Sequence, residues 1–161
     1  MQDRTTIRIV QTEDAQDLWE NVYSRNTLNE VEDRVAGNLW AYSEDKALPL
    51  VAEVDGHVIA TMYIAFDEHP LRSHICTLHD VVVNPGFQRM GIARSLFEEC
   101  KALAAKNGKN TICISVRGGT TAETVYRKLG FTEYGRLPNG ITESWGEHST
   151  FDEVFFYMPL N

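Results

Sequence analysis

The chain of 161 residues carries 15 basic and 23 acidic residues, and its formal charge of -8 opposes the cation–phosphate contacts from which nonspecific nucleic-acid binding derives. This length predicts one domain over residues 1–161, and an odd number of cysteines in apolar contexts indicates reduced thiols and a cytoplasmic protein. The N-terminus lacks a secretion signal and no apolar run approaches the ~18 residues that span a bilayer, so we expect a soluble protein with no membrane association.

The first half of the chain predicts a strand, two helices and a hairpin. These elements are expected at residues 6–10 (strand), 12–23 (helix), 30–42 (helix), 48–54 (strand) and 57–66 (strand). Thr12, followed by acidic residues, is a suitable N-cap for the first helix. Asp55-Gly56, between two β-rich runs, is the strongest short hairpin signal in the chain.

The second half predicts four more strands and two more helices. They are expected at residues 75–83 (strand), 91–106 (helix), 111–116 (strand), 120–129 (helix), 131–135 (strand) and 154–158 (strand). Thr120 with Glu123 three residues later has the pattern of a capping box for the helix at residues 120–129. Residues 137–150 are rich in turn formers and predict a long loop.

The resulting order, β-α-α-β-β-β-α-β-α-β-β, predicts a mixed α/β fold. Apolar residues of 91–106 recur at helical spacing, so this helix is expected to cover a sheet. The apolar run 111–116 is typical of an interior strand, and the strand-helix-strand unit that it completes is expected to be right-handed. The five histidines show no close ligand spacing with cysteine or carboxylate residues, so the sequence predicts no metal site.

The stretch "NPGFQRMGIARSL", residues 84–96, predicts an anion site. Amides at a helix start lack intrahelical acceptors and lie at the positive end of the helix dipole, and Gly91 and Ala93 leave them open to a phosphate. The alternative is that Gly91 serves only a tight strand-to-helix connection. A P-loop needs a lysine that is absent here, and a Rossmann fingerprint needs three glycines after the first strand. Coenzyme A, whose pyrophosphate is held but not cleaved, remains as the candidate.

Two segments resemble the GCN5-related N-acetyltransferase (GNAT) superfamily. "LHDVVVNPGFQRMGIARSLFEEC" is similar to its strand, Gln/Arg-x-x-Gly-x-Gly/Ala loop and helix, and "AETVYRKLGF" is similar to its later helix and turn. The resemblance implies the GNAT fold, a mixed and mostly antiparallel sheet of six to seven strands with helices on both faces. It also implies a V-shaped opening between the parallel fourth and fifth strands.

The same resemblance implies an N-acetyltransferase that uses acetyl-CoA as cosubstrate. Pantetheine amides would pair with the fourth strand and the pyrophosphate would lie on the loop that follows it. The implied cofactor residues are Val81, Val82, Val83, Gln88, Arg89, Met90, Gly91, Ile92 and Ala93. Many members have an asparagine that contacts the cofactor where this chain has Gly119, so we expect that contact to be missing.

Acetyl transfer to an amine requires a general acid for the departing thiolate. A phenol, with a pKa near 10, is suited to protonate it. The resemblance places Tyr126 beside the cofactor sulfur in that role. The alternative is an aromatic residue that only packs on the inner face of a short helix.

The reaction also requires free amine, of which an alkylammonium with a pKa of ~10.4 supplies about one part in a thousand at pH 7. Thr77 stands where histone-acetylating members have a glutamate base, whereas His79 matches a histidine of serotonin N-acetyltransferase. Alternation predicts that His79 shares a strand face with Thr77, Val81 and Val83, and that Asp80 points to the opposite face. His79 is therefore the candidate base, with Asp80 or a water chain as alternatives.

The acceptor pocket of such folds is bordered by the loop between the first two helices, residues 24–30 here, and by residues 137–153. Trp145 and Glu143 are candidates for receiving a cationic amine, with a solvated acidic loop as the alternative. "GRLPNG" loosely resembles antibiotic- and toxin-modifying members, which favours a small-molecule amine over a protein lysine or N-terminus. A noncatalytic acyl-CoA-binding module stays open as the alternative to an enzyme. A homodimer also stays open, since dimers are common in the superfamily.

Overall fold

A computed structural model describes residues 4–160, which form one sheet with helices on both of its faces. The strands are β1 (Thr5–Ile9), β2 (Ala47–Val54), β3 (His57–Phe66), β4 (Ile75–Val83), β5 (Thr111–Arg117), β6 (Thr132–Thr142) and β7 (Thr150–Pro159). The helices are α1 (Ala15–Asn21), α2 (Leu28–Ser43), α3 (Ile92–Lys106) and α4 (Thr121–Lys128), with 3-10 turns at Thr12–Asp14, Pro70–Arg72 and Pro85–Phe87. The predicted order of strands and helices is confirmed.

The seven strands follow the spatial order β1-β2-β3-β4-β5-β7-β6. Neighbouring strands are antiparallel except β4 and β5, which pair in parallel over Ile75–Thr77 and Thr111–Cys113. This arrangement confirms the expected mixed, mostly antiparallel sheet. Within residues 4–160, no helix has both the length and the apolarity needed to cross a bilayer.

Alternating residues of β2 divide the core into two layers. Leu50 and Ala52 pack in the cluster that contains Phe97 of α3 and Tyr126 of α4, whereas Val51 packs with α1 and α2. Each fully buried aliphatic or aromatic side chain contributes roughly 1.5–3 kcal/mol, so both helical layers stabilise the position of β2 and β3. The buried residues of β4 and β5 belong to the layer that contains α3 and α4.

The predicted loop over residues 137–150 is wrong in extent. β6 continues to Thr142 and β7 begins at Thr150, which leaves a loop of residues 143–149. The turn formers between Leu137 and Ile141 are accommodated by a register shift, so the strand resumes its pairing with β7 at Ile141 and Phe151. Turn-forming residues here mark a bulge rather than a chain reversal.

The predicted capping box at the start of α4 is also wrong. Thr120 Oγ1 donates to the carbonyl of Arg117, 2.6 Å away, and Glu123 Oε2 accepts instead from the backbone N–H of Gly119 at 2.7 Å. Gly119 has a φ of +77° and thereby turns its N–H toward the helix. The carboxylate of Glu123 thus accepts a hydrogen bond from the glycine of the turn and not from the N-cap residue Thr120.

A capping box that the sequence analysis overlooked begins α2. Thr27 Oγ1 accepts from the backbone N–H of Glu30, and Glu30 Oε2 accepts from the backbone N–H of Thr27. The helix consequently starts at Leu28, two residues before the predicted 30–42. The Thr-x-x-Glu spacing was the available signal.

We expect Glu123→Gln to lower the thermal midpoint of unfolding by a few degrees at pH 7. Hydrogen bonds lower the pKa of Glu123 from 4.5 to about 2. The largest contribution is from the N–H of Gly119, and smaller ones are from the guanidinium groups of Arg127 and Arg136. Because the folded pKa is depressed, this stabilisation is present above about pH 4.5 and is lost as the pH falls toward 2. Thermal melts followed by circular dichroism should show a smaller difference from the native chain at pH 3 than at pH 7.

Glu32→Gln is the control, because Glu32 is exposed on α2 and forms no ion pair within residues 4–160. A pH-independent difference for Glu123→Gln, like that expected for Glu32→Gln, would contradict the assignment.

Candidate active site

A cleft opens where β4 and β5 separate. Their pairing ends at Thr77 and Cys113, although β4 runs on to Val83 and β5 to Arg117. β3 and β7 pair with the outer edges of these strands, so their facing inner edges carry unpaired backbone groups. The cleft has a volume of about 660 Å³, and Tyr126 and Trp145 are among its lining residues. Unpaired peptide groups along a cleft can bind an extended ligand as a strand would.

A bulge at Asp80 bends β4 beside this cleft. Asp80 has a φ of +50°, and the register with β3 shifts between the pairs Tyr63–His79 and Thr61–Val82. The extra residue reverses the alternation, a recurrent use of bulges near active sites. Odd-numbered residues of β4 therefore face one side of the sheet before Asp80 and the other side after it.

The predicted common face of Thr77, His79, Val81 and Val83 is wrong for this reason. Val81 and Val83 pack against the core layer that contains α3, whereas His79 pairs with Tyr63 on the opposite face. The expectation that Asp80 points away from His79 fails as well. Its carboxylate reaches Arg34 of α2, on the same side of the sheet as His79.

The loop after β4 has the geometry expected of an anion site. Arg89 and Gly91 have φ values of +66° and +78°, and α3 begins at Ile92. The first intrahelical hydrogen bond of α3 runs from the N–H of Ser95 to the carbonyl of Gly91, at 2.9 Å. The preceding amides have no intrahelical acceptor, and a Cβ added at Gly91 would meet nothing within 4 Å.

Two further contacts shape this loop. Asn84 Nδ2 donates to the carbonyl of Asn21 at 2.7 Å, and Asn84 Oδ1 accepts from the N–H of Gly86 at 2.8 Å. Gln88 Nε2 lies 3.4 Å from the carbonyl of Val83. Arg89 pairs with no carboxylate of residues 4–160. The loop is anchored at its base, and its exposed guanidinium stands beside the unbonded amides.

Tyr126 combines a buried ring with a hydroxyl at the cleft. The ring is 8% exposed and packs edge-on against Phe131, with 5.5 Å between centroids. Burial, and to a lesser degree the neighbouring Cys100, raises the pKa of Tyr126 well above its usual value of 10. The residue is one of those that line the cleft. The phenol is therefore a protonated group that can donate into the cleft.

The two residues predicted as alternative bases differ in their surroundings. His79 is exposed, lines the cleft and lies near the ring of Tyr63, with 6.4 Å between centroids. Asp80 Oδ2 accepts from Arg34 at 3.0 Å, so this carboxylate is engaged by a cation. The imidazole of His79 has no ion-pair partner in the described part of the chain.

Trp145 borders the cleft, and Glu143 forms an ion pair with Arg117, another of its lining residues. The ring of Trp145 borders both this cleft and an adjoining one of about 820 Å³. The guanidinium carbons of Arg25 and Arg117 lie 5.1 Å and 5.6 Å from its centroid, and Glu143 lies 3.3 Å from Arg117 Nε. Because the ring and the carboxylate already contact arginines, they are poorly placed to receive a cationic amine.

Several residues of this region were not predicted from the sequence. Residues 24–30 were expected to border the acceptor pocket, but Arg25 was not singled out among them. The Arg34–Asp80 ion pair was not expected, and neither was Tyr23, whose pKa is raised to about 12 by burial and by the charge of Asp80. No local pattern in the sequence indicates these contacts.

Comparison with known proteins bears on this site. Residues 12–131 match the model of the acetyltransferase (GNAT) family. Over 86 residues, 53% of this chain, the sequence is 29% identical to the ribosomal protein bS18-alanine N-acetyltransferase of Escherichia coli K12. That match covers 56% of the relative, so the chain spans little more than half the length of the curated relatives it matches.

Solved structures share the fold. The Salmonella typhimurium protein yncA, solved with its cofactor acetyl-CoA, has a TM-score of 0.80 at 19% identity, covering 98% of this chain and 94% of that one. The ribosomal-protein-S18-alanine N-acetyltransferase of Escherichia coli has a TM-score of 0.75 at 22% identity, with 97% and 94% covered. At these identities the likeness shows the fold alone.

We expect Gly91→Leu to weaken acetyl-CoA binding at least about tenfold, or ~1.4 kcal/mol. The side chain would project from a loop whose amides are open to a ligand, and nothing in the protein itself obstructs it. Gly108→Leu is the matched control, because Gly108 has a φ of +76° with equally open surroundings at the other end of α3.

Both variants carry the same backbone strain and should lose similar thermal stability. Isothermal calorimetry should then show a loss of affinity in Gly91→Leu only. Equal affinities in the two variants would rule out the loop as the binding site.

Proposed function

The chain belongs to the acetyltransferase (GNAT) family, and on that premise we propose that it transfers the acetyl group of acetyl-CoA directly to the primary amine of a small molecule. The observation that carries the proposal is the cleft between β4 and β5, where unpaired strand edges face Tyr126 and β4 leads into the loop with unbonded amides at the start of α3. A pantetheine arm along β4 and a pyrophosphate on the loop would bring a thioester to this tyrosine.

The cofactor is proposed to bind through backbone groups. Val81 and Val83 would pair with the pantetheine amides at the inner edge of β4, because β5 has already diverged there. Residues 88–93 would hold the pyrophosphate at the start of α3, with the guanidinium of Arg89 beside it. Acetyl-CoA supplies the activated acyl group; the chain orients it.

Tyr126 is proposed as the general acid. Transfer forms a C–N bond and breaks the C–S bond, and the departing thiolate takes a proton. A buried phenol with a raised pKa keeps its proton until a stronger base than water is generated beside it. Its position at the cleft supports this role.

His79 is proposed as the base. An ammonium of pKa ~10.4 must lose a proton before it attacks, which costs about 4–5 kcal/mol at pH 7. The imidazole of His79 borders the cleft and is not engaged by another charge, whereas the carboxylate of Asp80 is paired with Arg34.

Direct transfer, without an acyl-enzyme, is supported by the state of the thiols. Burial raises the pKa of Cys76 to about 12 and also raises that of Cys100 and Cys113. The thiolate is the nucleophilic form, so these cysteines are poorly suited to accept an acetyl group. None of the three lines the cleft.

A small acceptor is favoured by the contact between Arg25 and Trp145. This contact joins the α1–α2 loop to the loop of residues 143–149 at the mouth of the cleft. An extended polypeptide would need that bridge to open. The similarity to alanine N-acetyltransferases of a ribosomal protein favours the second candidate, acetylation of a protein N-terminus.

The deciding experiment is a thiol-release assay with acetyl-CoA and a panel of acceptors: small amines, amino acids, lysine peptides and peptides with a free N-terminal alanine. Release of free CoA with small amines and not with peptides is the expected result. Release with N-terminal peptides alone would favour the second candidate. Calorimetric binding of acetyl-CoA without release from any acceptor would indicate a noncatalytic binding module.

We expect Tyr126→Phe to lower kcat about 10²- to 10⁴-fold while the Kd for acetyl-CoA stays within about twofold. The substitution removes the proton donor but keeps the packing against Phe131. Tyr157→Phe, at an exposed position of β7, is the matched control. Steady-state kinetics and calorimetry measure the two quantities, and an unchanged kcat in Tyr126→Phe would remove this residue from the mechanism.

We expect His79→Gln to lower kcat/KM about tenfold or more for strongly basic amines, and less for amines whose pKa lies near the assay pH. A weakly basic amine is already unprotonated and needs no base. Asp80→Asn, which breaks the pair with Arg34, should show a loss that does not depend on amine basicity. The opposite pattern in the two variants would identify Asp80 as the base.

A further inference from the structure

Asp80 has a left-handed backbone conformation in the middle of β4. Its φ of +50° lies in a region that residues other than glycine rarely occupy. Asp45 and Asp55 also have positive φ values, but both lie in turns, where this conformation is common. Inside a strand such a conformation persists only where surrounding contacts hold it, and residues of this kind concentrate at functional sites.

The bulge at Asp80 separates two groups that the proposed reaction uses. His79, the proposed base, directly precedes it, and Val81, whose backbone is proposed to pair with pantetheine, directly follows it. The imidazole of His79 lies near the ring of Tyr63, whereas Val81 packs against the core layer that contains α3. The backbone conformation of Asp80 therefore sets the orientation of the base relative to the cosubstrate.

Arg34 of α2 contacts the side chain of Asp80. Its Nη1 donates to Asp80 Oδ2 at 3.0 Å, although the two residues are 46 positions apart in the chain. No described hydrophobic residue of β4 belongs to the core layer of α1 and α2. The ion pair is therefore a direct link between that layer and the bulge of β4.

The guanidinium of Arg34 is itself held in place. Val31 and Val35, on either side of Arg34 in α2, are buried in the layer of α1 and α2. The guanidinium carbon lies 4.8 Å from the centroid of the Tyr23 ring, which packs against the same layer. Cation, ring and carboxylate thus form one cluster that joins this layer to Asp80.

We propose that Arg34 is a positioning residue for acetyl transfer, because it holds Asp80 and so maintains the bulge that orients His79 relative to the cosubstrate. This inference rests on the proposed function. The side chains of the pair are 37% and 45% exposed, and exposed ion pairs contribute little to the free energy of unfolding. Its loss is therefore expected to affect turnover more than folding.

The first test is a double-mutant cycle on kcat in the thiol-release assay, with Arg34→Gln, Asp80→Asn and the double variant. We expect each single variant to lower kcat about tenfold, by a factor that does not depend on amine basicity, and the double variant to lose no more. KM for the amine should change less than about twofold. Arg34→Lys should restore most of kcat, because an ammonium can also pair with the carboxylate.

Arg72→Gln is the matched control. Arg72 Nε lies 2.7 Å from Asp67 Oδ2 in the turn before β4, so this variant also breaks an arginine–aspartate pair, but one that does not border the cleft. Its kcat should equal that of the native chain.

Hydrogen exchange of the protein without ligand gives a second measurement, which does not depend on turnover. Residues 82 and 83 pair with β3 just after the bulge. Arg34→Gln and Asp80→Asn should both speed amide exchange in residues 79–83 about tenfold, and Arg72→Gln should not. The thermal midpoints of the three variants should agree within a few degrees.

An unchanged kcat in Arg34→Gln overturns the inference and leaves the acetyltransferase intact. A lower kcat without faster exchange also overturns it, because the bulge is then unaffected. Additive losses in the double variant, or a loss mainly in KM for the amine, would show that Arg34 contacts the acceptor from the adjoining cavity that it borders. If no amine releases thiol although acetyl-CoA binds, the proposed function fails, and the positioning role fails with it.

Discussion

The separation of β4 from β5 is the constraint on which the rest of the structure depends. Backbone groups inside a sheet are normally paired, and a run of unpaired groups is costly unless solvent or a ligand satisfies it. Here the pairing ends at Thr77 of β4 and Cys113 of β5, and each strand is paired on its outer edge with another strand. The buried residues of β4 and β5 pack in the layer that contains α3 and α4.

The loop and the glycine turn around the cleft are fixed by hydrogen bonds from neighbouring elements. Asn84 ties the loop after β4 to α1, and Glu123 holds the N–H of Gly119 before α4. These contacts position the start of α3 and the residues that face the cleft from α4. Sites of this kind work when the groups that line them are oriented by the structure behind them.

The charges are distributed unevenly around the cleft. The chain is acidic overall, yet Arg89 in the loop before α3 and Arg25 in the loop between α1 and α2 have no carboxylate partner in the described residues. Local potential depends on nearby charges, since exposed charges more than about 10 Å apart are largely screened at physiological salt. An acidic protein can therefore still present a local cation such as Arg89 to an anionic ligand.

The sequence by itself determined the order of helices and strands, the loop that starts α3 and the family. These features rest on signals that act within a few residues: apolar periodicity, Asp55-Gly56, and Gly91 ahead of an apolar helix. Only the tertiary structure decided the bulge at Asp80 and the contact between Arg25 and Trp145. A bulge arises from register against a neighbouring strand, and the arginine contact joins loops far apart in the chain. Alternation along one strand or composition within one loop cannot encode either, because the partner that decides each lies elsewhere in the sequence.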